Sequence, residues 1–136
     1  MKTVKDVFVA AMALIDELDS KGEAQTADTK EYENRTPGII NMMISEKRLL
    51  SGEHGFFSAV SGLSDNLLGI EDSYALSAMQ YGLAANLLID ENPTAASFYQ
   101  QRYEELRDKF MMRQTPVVGD VEDVYGGIPY GEFSRW

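Results

Sequence analysis

Apolar residues recur at intervals of three and four along the first part of the chain, at Val4, Phe8, Ala11, Ile15 and Leu18. This spacing puts them on one face of a helix with 3.6 residues per turn, so the pattern predicts an amphipathic helix over residues 4–18. Gly22 favours the end of a helix, and the polar residues that follow, as far as Ala27, predict a loop.

A second helix is predicted to begin near Asp28, because Asp28 and Glu31 have the spacing of a capping box with Asp in place of Ser or Thr. Pro37 lacks an amide proton, and its ring crowds the preceding turn. It therefore predicts either a kink or a fresh helix over residues 37–50 with Thr36 as N-cap. Both alternatives have the same buried face, formed by Ile39, Ile40, Met43, Ile44 and Leu50.

The middle of the chain divides into an irregular part and a helical part. Residues 51–69 contain four glycines among apolar residues, which predicts an irregular connection packed on the core. Residues 71–89 contain no helix breaker except Gly82, and their apolar side chains fall on nearly every side of a helix. This second pattern predicts the buried central helix of the fold.

Asn92 followed by Pro93 is typical of a helix start, with an N-capping side chain and a proline at the first helical position. The last helix that they predict has an apolar stripe, formed by Ala96, Tyr99, Tyr103, Leu106 and Phe110. Its opposite face is expected in solvent and consists of Gln100, Gln101, Glu104, Glu105 and Asp108.

After Arg113 the sequence TPVVGDVEDVYGGIPYGEFSRW contains two of the four prolines and cannot continue a helix. The chain as a whole therefore predicts an all-α fold, a bundle of four to five helices with an extended C-terminal tail. The expected division is a helical bundle domain over residues 1–114 and a docking tail over residues 115–136.

The formal net charge is −10, and no Lys or Arg stands between Ser51 and Glu91. Proteins bind nucleic acid chiefly by neutralising phosphates, so no direct tight binding to nucleic acid is expected. No apolar stretch approaches the roughly 20 residues of a membrane span, and early acidic residues interrupt any signal peptide. These features predict a cytoplasmic protein with no membrane partner.

Residues suited to catalysis are few. His54 is the only histidine and stands in a Gly-Glu-His-Gly loop, and the chain has no cysteine. Adjacent carboxylates point about 100° apart on a helix, so three such pairs are interpreted as surface acids. The pairs are Asp16/Glu17, Glu71/Asp72 and Glu104/Glu105.

Two features of the tail also fall short of a ligand site. Asp120, Glu122 and Asp123 lack the calcium-loop pattern, and Gly126-Gly127 lacks the lysine and hydroxyl residue of a phosphate loop. We therefore expect no catalysis, no cofactor and no metal.

The tail is predicted to contain the interface, because apolar and aromatic side chains alternate there with acids, glycines and prolines. Two alternatives stay open, since the tail can pack on its own bundle or on a neighbouring subunit. The seven methionines fill gaps in the core or form an adaptable contact surface. The predicted interface residues are Tyr125, Gly126, Gly127, Ile128, Tyr130, Phe133 and Trp136.

Three stretches, ENRTPGIINMMISE, YGLAANLLIDENPTAASFYQQRYEELRDKF and DVYGGIPYGEFSRW, resemble small proteins of the head-to-tail module of tailed bacteriophages and of prophages of Gram-positive bacteria. Proteins of that kind are connector (neck) subunits or head-completion adaptors, mainly helical, that form a ring beneath the portal and extend termini or loops onto neighbours. The resemblance implies a phage structural protein that is not an enzyme.

The same resemblance implies a homo-oligomeric ring, with other phage structural proteins (portal or tail components) as partners. It implies a location in the bacterial cytoplasm during assembly and then in the virion. The acidic charge agrees with a channel through which DNA slides. The residues also allow an alternative, a bacterial helical adaptor or regulatory protein that binds one protein partner.

Overall fold

The computed structural model describes residues 1–114, which form four helices in an up-and-down bundle. The predicted all-α bundle is therefore confirmed. An isolated antiparallel bridge joins Thr3 to Asn66, and the described residues form no β-strand. The helices are α1, Val4–Leu14; α2, Lys30–Leu50; α3, residues 72–88; and α4, Pro93–Gln114.

Helix α1 begins with a capping box at Thr3. The backbone amide of Asp6 donates to Oγ1 of Thr3 at 3.3 Å, and the amide of Thr3 donates to Oδ2 of Asp6 at 2.8 Å. These bonds satisfy donors that a helix start leaves without partners. They also lower the pKa of the Asp6 carboxyl group, chiefly through the amide of Thr3.

A distant part of the chain completes this helix start. The amide of Val4 donates to the carbonyl of Asp65 at 3.0 Å, and the amide of Lys5 donates to the carbonyl of Leu63 at 2.8 Å. The amide of Leu67 donates back to the carbonyl of Lys2 at 2.9 Å. The segment 63–67 therefore runs beside residues 2–5 and satisfies the first amides of α1.

Helix α1 ends at Leu14, one turn earlier than predicted. Asp16 has a φ angle of 61°, and the amide of Glu17 donates to the carbonyl of Met12 at 2.8 Å. This geometry is a Schellman motif, in which a residue in the left-handed region stops the helix. The prediction failed because Ile15 and Leu18 do pack against the core, although not as helical residues.

Helix α2 begins after Thr29, and the predicted capping box between Asp28 and Glu31 is wrong. The N-cap residue is Thr29, which is fully buried. Its hydroxyl donates to the carbonyl of Ala24 at 2.6 Å and accepts the amide of Thr26 at 3.0 Å, so it fixes the preceding loop.

Pro37 lies inside α2, which continues from Lys30 to Leu50, so of the two predicted alternatives the fresh helix at Pro37 is excluded. The hydroxyl of Thr36 donates to the carbonyl of Tyr32 at 2.7 Å in this turn. The predicted buried face is correct for Ile40, Met43 and Ile44. It is wrong for Leu50, which is 52% exposed because it lies at the open end of the helix.

Helix α3 is the central helix, and it contains a π-helical part that the pattern did not predict. It consists of Asp72–Tyr74, a π-helix over Ala75–Met79, and Gln80–Leu88. It packs against α1, α2 and α4, which explains its apolar residues on nearly every side. Its last carbonyls, on Asn86 and Leu87, accept the guanidinium of Arg35 from α2.

Helix α4 begins as predicted, with Pro93 first and the side chain of Asn92 accepting the amide of Ala95 at 3.2 Å. Ala96 and Tyr103 of its predicted stripe are buried, and the other three stripe residues are partly buried against the core. No helix within residues 1–114 is long and apolar enough to cross a membrane.

Candidate protein-binding surface

A hydrogen-bonded cluster joins the C-terminal part of α2 to the middle of α4. Oε1 of Glu46 accepts the hydroxyl of Tyr103 at 2.8 Å and Nη1 of Arg107 at 2.7 Å. Burial, with the neighbouring Tyr74 and Glu46, raises the pKa of Tyr103. Burial alone would lower the pKa of Arg107, but the hydrogen bonds to Glu46 and Asp108 raise it. Neither group titrates near neutral pH, so the cluster is a structural clamp.

Lys47 lies next to this clamp, and its side chain is only 7% exposed. Its Nζ atom is 5.4 Å from the ring centre of Phe110 and 5.6 Å from that of Tyr74. The nearest carboxylate oxygen among residues 1–114 is Oε2 of Glu71, at 3.8 Å. This ammonium therefore has aromatic neighbours and a long ion pair with Glu71, but no hydrogen bond within the described part of the chain.

Residues 51–71, which we call the long connection, are held against α2 by polar side chains. The side-chain amide of Asn41 donates to the carbonyl of Val60 at 2.9 Å and accepts its amide at 2.8 Å. Nη2 of Arg48 donates to the carbonyls of His54 and Gly55. The predicted irregular connection is thus confirmed, and Val60, like Leu67 and Ile70, is buried in the core.

Asp65 shapes the second half of the long connection. Its Oδ2 atom accepts the amides of Ser61 and Gly62 at 2.7 and 3.1 Å, together with the hydroxyl of Ser61. These two amides lower the pKa of Asp65. The turn that results places Leu63 and Asp65 where their carbonyls meet the start of α1.

A cavity of about 50 Å³ lies between the last turns of α2 and the long connection. Lys47 and Arg48 provide cations at its wall, and Glu53 provides one carboxylate. Phe57 and Leu68 line it while remaining 37% and 59% exposed. The cavity is therefore a small polar recess with an apolar rim.

Other large apolar side chains are exposed at the same end of the bundle. The sulfur of Met111 lies 3.7 Å from the hydroxyl of Ser51, which brings the end of α4 beside the end of α2. Exposed apolar side chains on these two ends and on the long connection form what we call the cavity end, together with the cavity. They are Leu49, Leu50, Phe56, Phe57, Leu68 and Met112.

The opposite end of the bundle is acidic. It comprises the connections 15–29 and 89–92, which carry seven acidic residues and one lysine. Two hydrogen bonds put the connections at the same end, since the hydroxyl of Tyr32 at the start of α2 donates to Oε2 of Glu91, and that of Tyr99 in α4 donates to the carbonyl of Leu14 at the end of α1. Burial and the bond to Glu91 raise the pKa of Tyr32 to about 12.

The residues considered for catalysis are dispersed. His54 is exposed in the long connection, and Glu71, Asp72, Glu104 and Glu105 are exposed. Among residues 1–114 no group of three or more potential ligands could hold a metal ion. Asp120, Glu122 and Asp123 lie outside the described residues.

The predicted interface residues also lie outside the described part of the chain. They are Tyr125, Gly126, Gly127, Ile128, Tyr130, Phe133 and Trp136. Sequence reasoning missed the cavity end, because exposure of Phe56 or Leu68 depends on tertiary packing. The sequence contains one indication of this region, because the cations Lys47 and Arg48 stand directly before an apolar and glycine-rich connection.

No protein-family profile matches this chain, and comparisons with curated proteins and with solved structures gave no match either. The class that the fold defines is that of the all-α bundles, with a small polar recess and exposed apolar side chains at one end.

Proposed function

We propose that this chain is a non-catalytic structural subunit of the head-tail connector, or neck, of a tailed bacteriophage or prophage. It assembles through subunit-subunit contacts into a homo-oligomeric ring and meets other phage structural proteins, either the portal or tail components. It is made in the bacterial cytoplasm and becomes part of the virion. The resemblance of three sequence stretches supports this proposal.

The observation that carries the proposal is the cavity end. Large exposed apolar side chains concentrated in one region of a small protein are typical of surfaces that other proteins cover. Phe56 is fully exposed, and Leu49 and Met112 are 79% and 75% exposed. An assembled subunit would bury such side chains against its neighbours.

The charge of the chain supports a place beside passing DNA. The net charge of −10 and the acidic end repel phosphates, so the protein lets DNA pass without binding it tightly. Residues 115–136, which we call the C-terminal segment, supply the docking arm, with Tyr125, Tyr130, Phe133 and Trp136 as aromatic anchors and Gly126-Gly127 as a turn. No cofactor, metal or membrane is required.

Removal of the gene from its phage or prophage tests the proposal. Induction should then give DNA-filled heads and free tails that do not join, and a plasmid copy should restore complete particles. Antibody labelling of restored particles in the electron microscope should place the protein at the neck. Normal infectious particles without the gene would refute the proposal.

The alternative is a bacterial helical adaptor or regulatory protein that binds one protein partner. The cavity supports this alternative, because a single small recess can hold one segment of one partner. Affinity purification from the native host separates the two functions. A 1:1 complex with one non-phage protein supports the adaptor, whereas portal or tail proteins in the eluate support the connector.

A further inference from the structure

Lys47 lines the cavity, and its ammonium has an ion pair with Glu71 but no hydrogen bond among residues 1–114. A charge-assisted hydrogen bond to a carboxylate is stronger than such a long ion pair. Oε2 of Glu71, at 3.8 Å, is too far to form such a bond. A carboxylate that enters the recess would supply the missing acceptor.

The rim of the cavity adds a second requirement. Phe57 and Leu68 stay partly exposed on the same wall, and the guanidinium of Arg48 lies 5.4 Å from the ring centre of Phe57. A suitable ligand therefore carries an aromatic or branched side chain close to its carboxylate, so that both the polar recess and the apolar rim are covered.

The C-terminal segment has this chemistry. Its sequence places acids beside large apolar residues in Val-Glu-Asp-Val-Tyr, residues 121–125, and again in Gly-Glu-Phe, residues 131–133. Four acids and one arginine give it a net negative charge, opposite in sign to Lys47 and Arg48, which form long ion pairs with Glu71 and Glu53 at 3.8 and 3.9 Å. The proposed function already makes this segment a docking arm, and the present inference rests on that proposal.

The position of the segment indicates which copy it reaches. Helix α4 is described to Gln114 and ends beside α2, so the arm starts at the cavity end. In a ring all subunits lie at the same level, which puts each neighbour's cavity at the level where the arm starts. The 22 residues that follow Gln114 can span up to roughly 70 Å when extended, more than the width of a small bundle.

We propose that the cavity between α2 and the long connection is the acceptor site for the C-terminal segment of a second copy of this chain. A carboxylate of the segment meets Lys47, and a neighbouring aromatic side chain covers Phe57 and Leu68. The contact is heterologous, donor to acceptor, which is the kind of contact that builds a closed ring when the rotation between neighbours closes.

Two full-length variants test this contact. The acceptor variant, Leu68→Glu, adds a repelling carboxylate at an exposed position while its C-terminal segment stays intact. The donor variant, with Tyr125→Ser and Trp136→Ser, keeps the cavity but loses two anchors. Trp136 is the only tryptophan, so in a mixture tryptophan emission comes from the acceptor variant alone.

Sedimentation should find the wild-type chain associated and each variant alone monomeric, whereas the mixture should form a 1:1 pair. The emission of Trp136 should shift to shorter wavelength as the donor variant is added. Leu68→Lys is the matched control, and it should associate like the wild type because its added charge attracts the acids. Lys47→Met, which keeps an apolar stem, should weaken association by about tenfold or more.

Several results would overturn the inference. A monomeric wild type would do so, and so would a Leu68→Glu variant that associates normally while circular dichroism confirms its fold. If the emission of Trp136 changes when Leu68 is replaced but does not change with protein concentration, the segment docks on its own subunit. If the 1:1 pair forms but deletion of the gene leaves particles normal, the connector proposal fails while this contact stands.

Discussion

The sulfur of Met43 occupies the space that a side chain on Gly82 would need. A Cβ atom at Gly82 would also lie 3.0 Å from Cδ1 and 3.2 Å from Cε1 of Tyr103. Met43 and Tyr103 are both buried, so neither can move into solvent. Gly82 is therefore a point at which side chains of α2 and α4 pack directly on the backbone of α3.

We expect Gly82→Ala to lower the free energy of unfolding by about 1–2 kcal/mol. Overpacking costs roughly 1–3 kcal/mol, and the better helix propensity of alanine offsets part of it. Gly38→Ala in α2 is the matched control, because nothing lies within 4 Å of its Cβ position. Urea unfolding should find that control up to about 1 kcal/mol more stable than wild type. Equal stabilisation of both variants would contradict the close approach.

The Schellman turn at Asp16 gives a second prediction. A residue other than glycine with φ of 61° is strained, so Asp16→Gly should raise the free energy of unfolding by about 0.5–1 kcal/mol. Asp16→Ala removes the same charge but keeps the Cβ atom, and it should be about 1 kcal/mol less stable than the glycine variant. Thermal unfolding of the two variants measures the difference. No difference would mean that the turn relaxes.

The clamp at Glu46 gives a third prediction. Glu46→Ala leaves the buried hydroxyl of Tyr103 without its acceptor and Arg107 without its closest carboxylate. Loss of such an acceptor should cost about 2–3 kcal/mol of unfolding free energy. Glu104→Ala, an exposed acid on α4, is the control and should stay within about 0.5 kcal/mol of wild type. A comparable loss in both variants would show that helix charge, not the clamp, is responsible.

The lowered pKa of Asp65 predicts a pH dependence. Because the folded chain holds this carboxyl below its ordinary pKa, its contribution is present above the unfolded value, about 3.9, and is lost as pH falls through the folded value. Urea midpoints at about pH 6 and about pH 3 should therefore differ less for Asp65→Asn than for wild type. If the urea midpoint changes equally between the two pH values in wild type and in Asp65→Asn, the turn at Asp65 is not a source of acid sensitivity.

The helices could be predicted from the sequence because their apolar spacing and the Asn92-Pro93 start act locally. Thr3 and Asp6 also have the spacing of a capping box in the sequence, and the structure forms that box. The end of α1 was not readable, since Ile15 and Leu18 continue the apolar pattern while Asp16 leaves the helix. The cavity beside Lys47 depends on how the long connection folds onto α2, and that contact has no periodic signal in the sequence.

The pairing of residues 2–5 with residues 63–67 also bears on how the chain folds and opens. It joins segments about 60 residues apart in the sequence. Closing a loop of that length costs conformational entropy, and the contacts offset this cost only after they have formed. The helices can form from near neighbours, so this junction is expected to close late in folding and to open early in unfolding. Amide exchange at Val4 and Lys5 would then report a local opening that leaves the central helix intact.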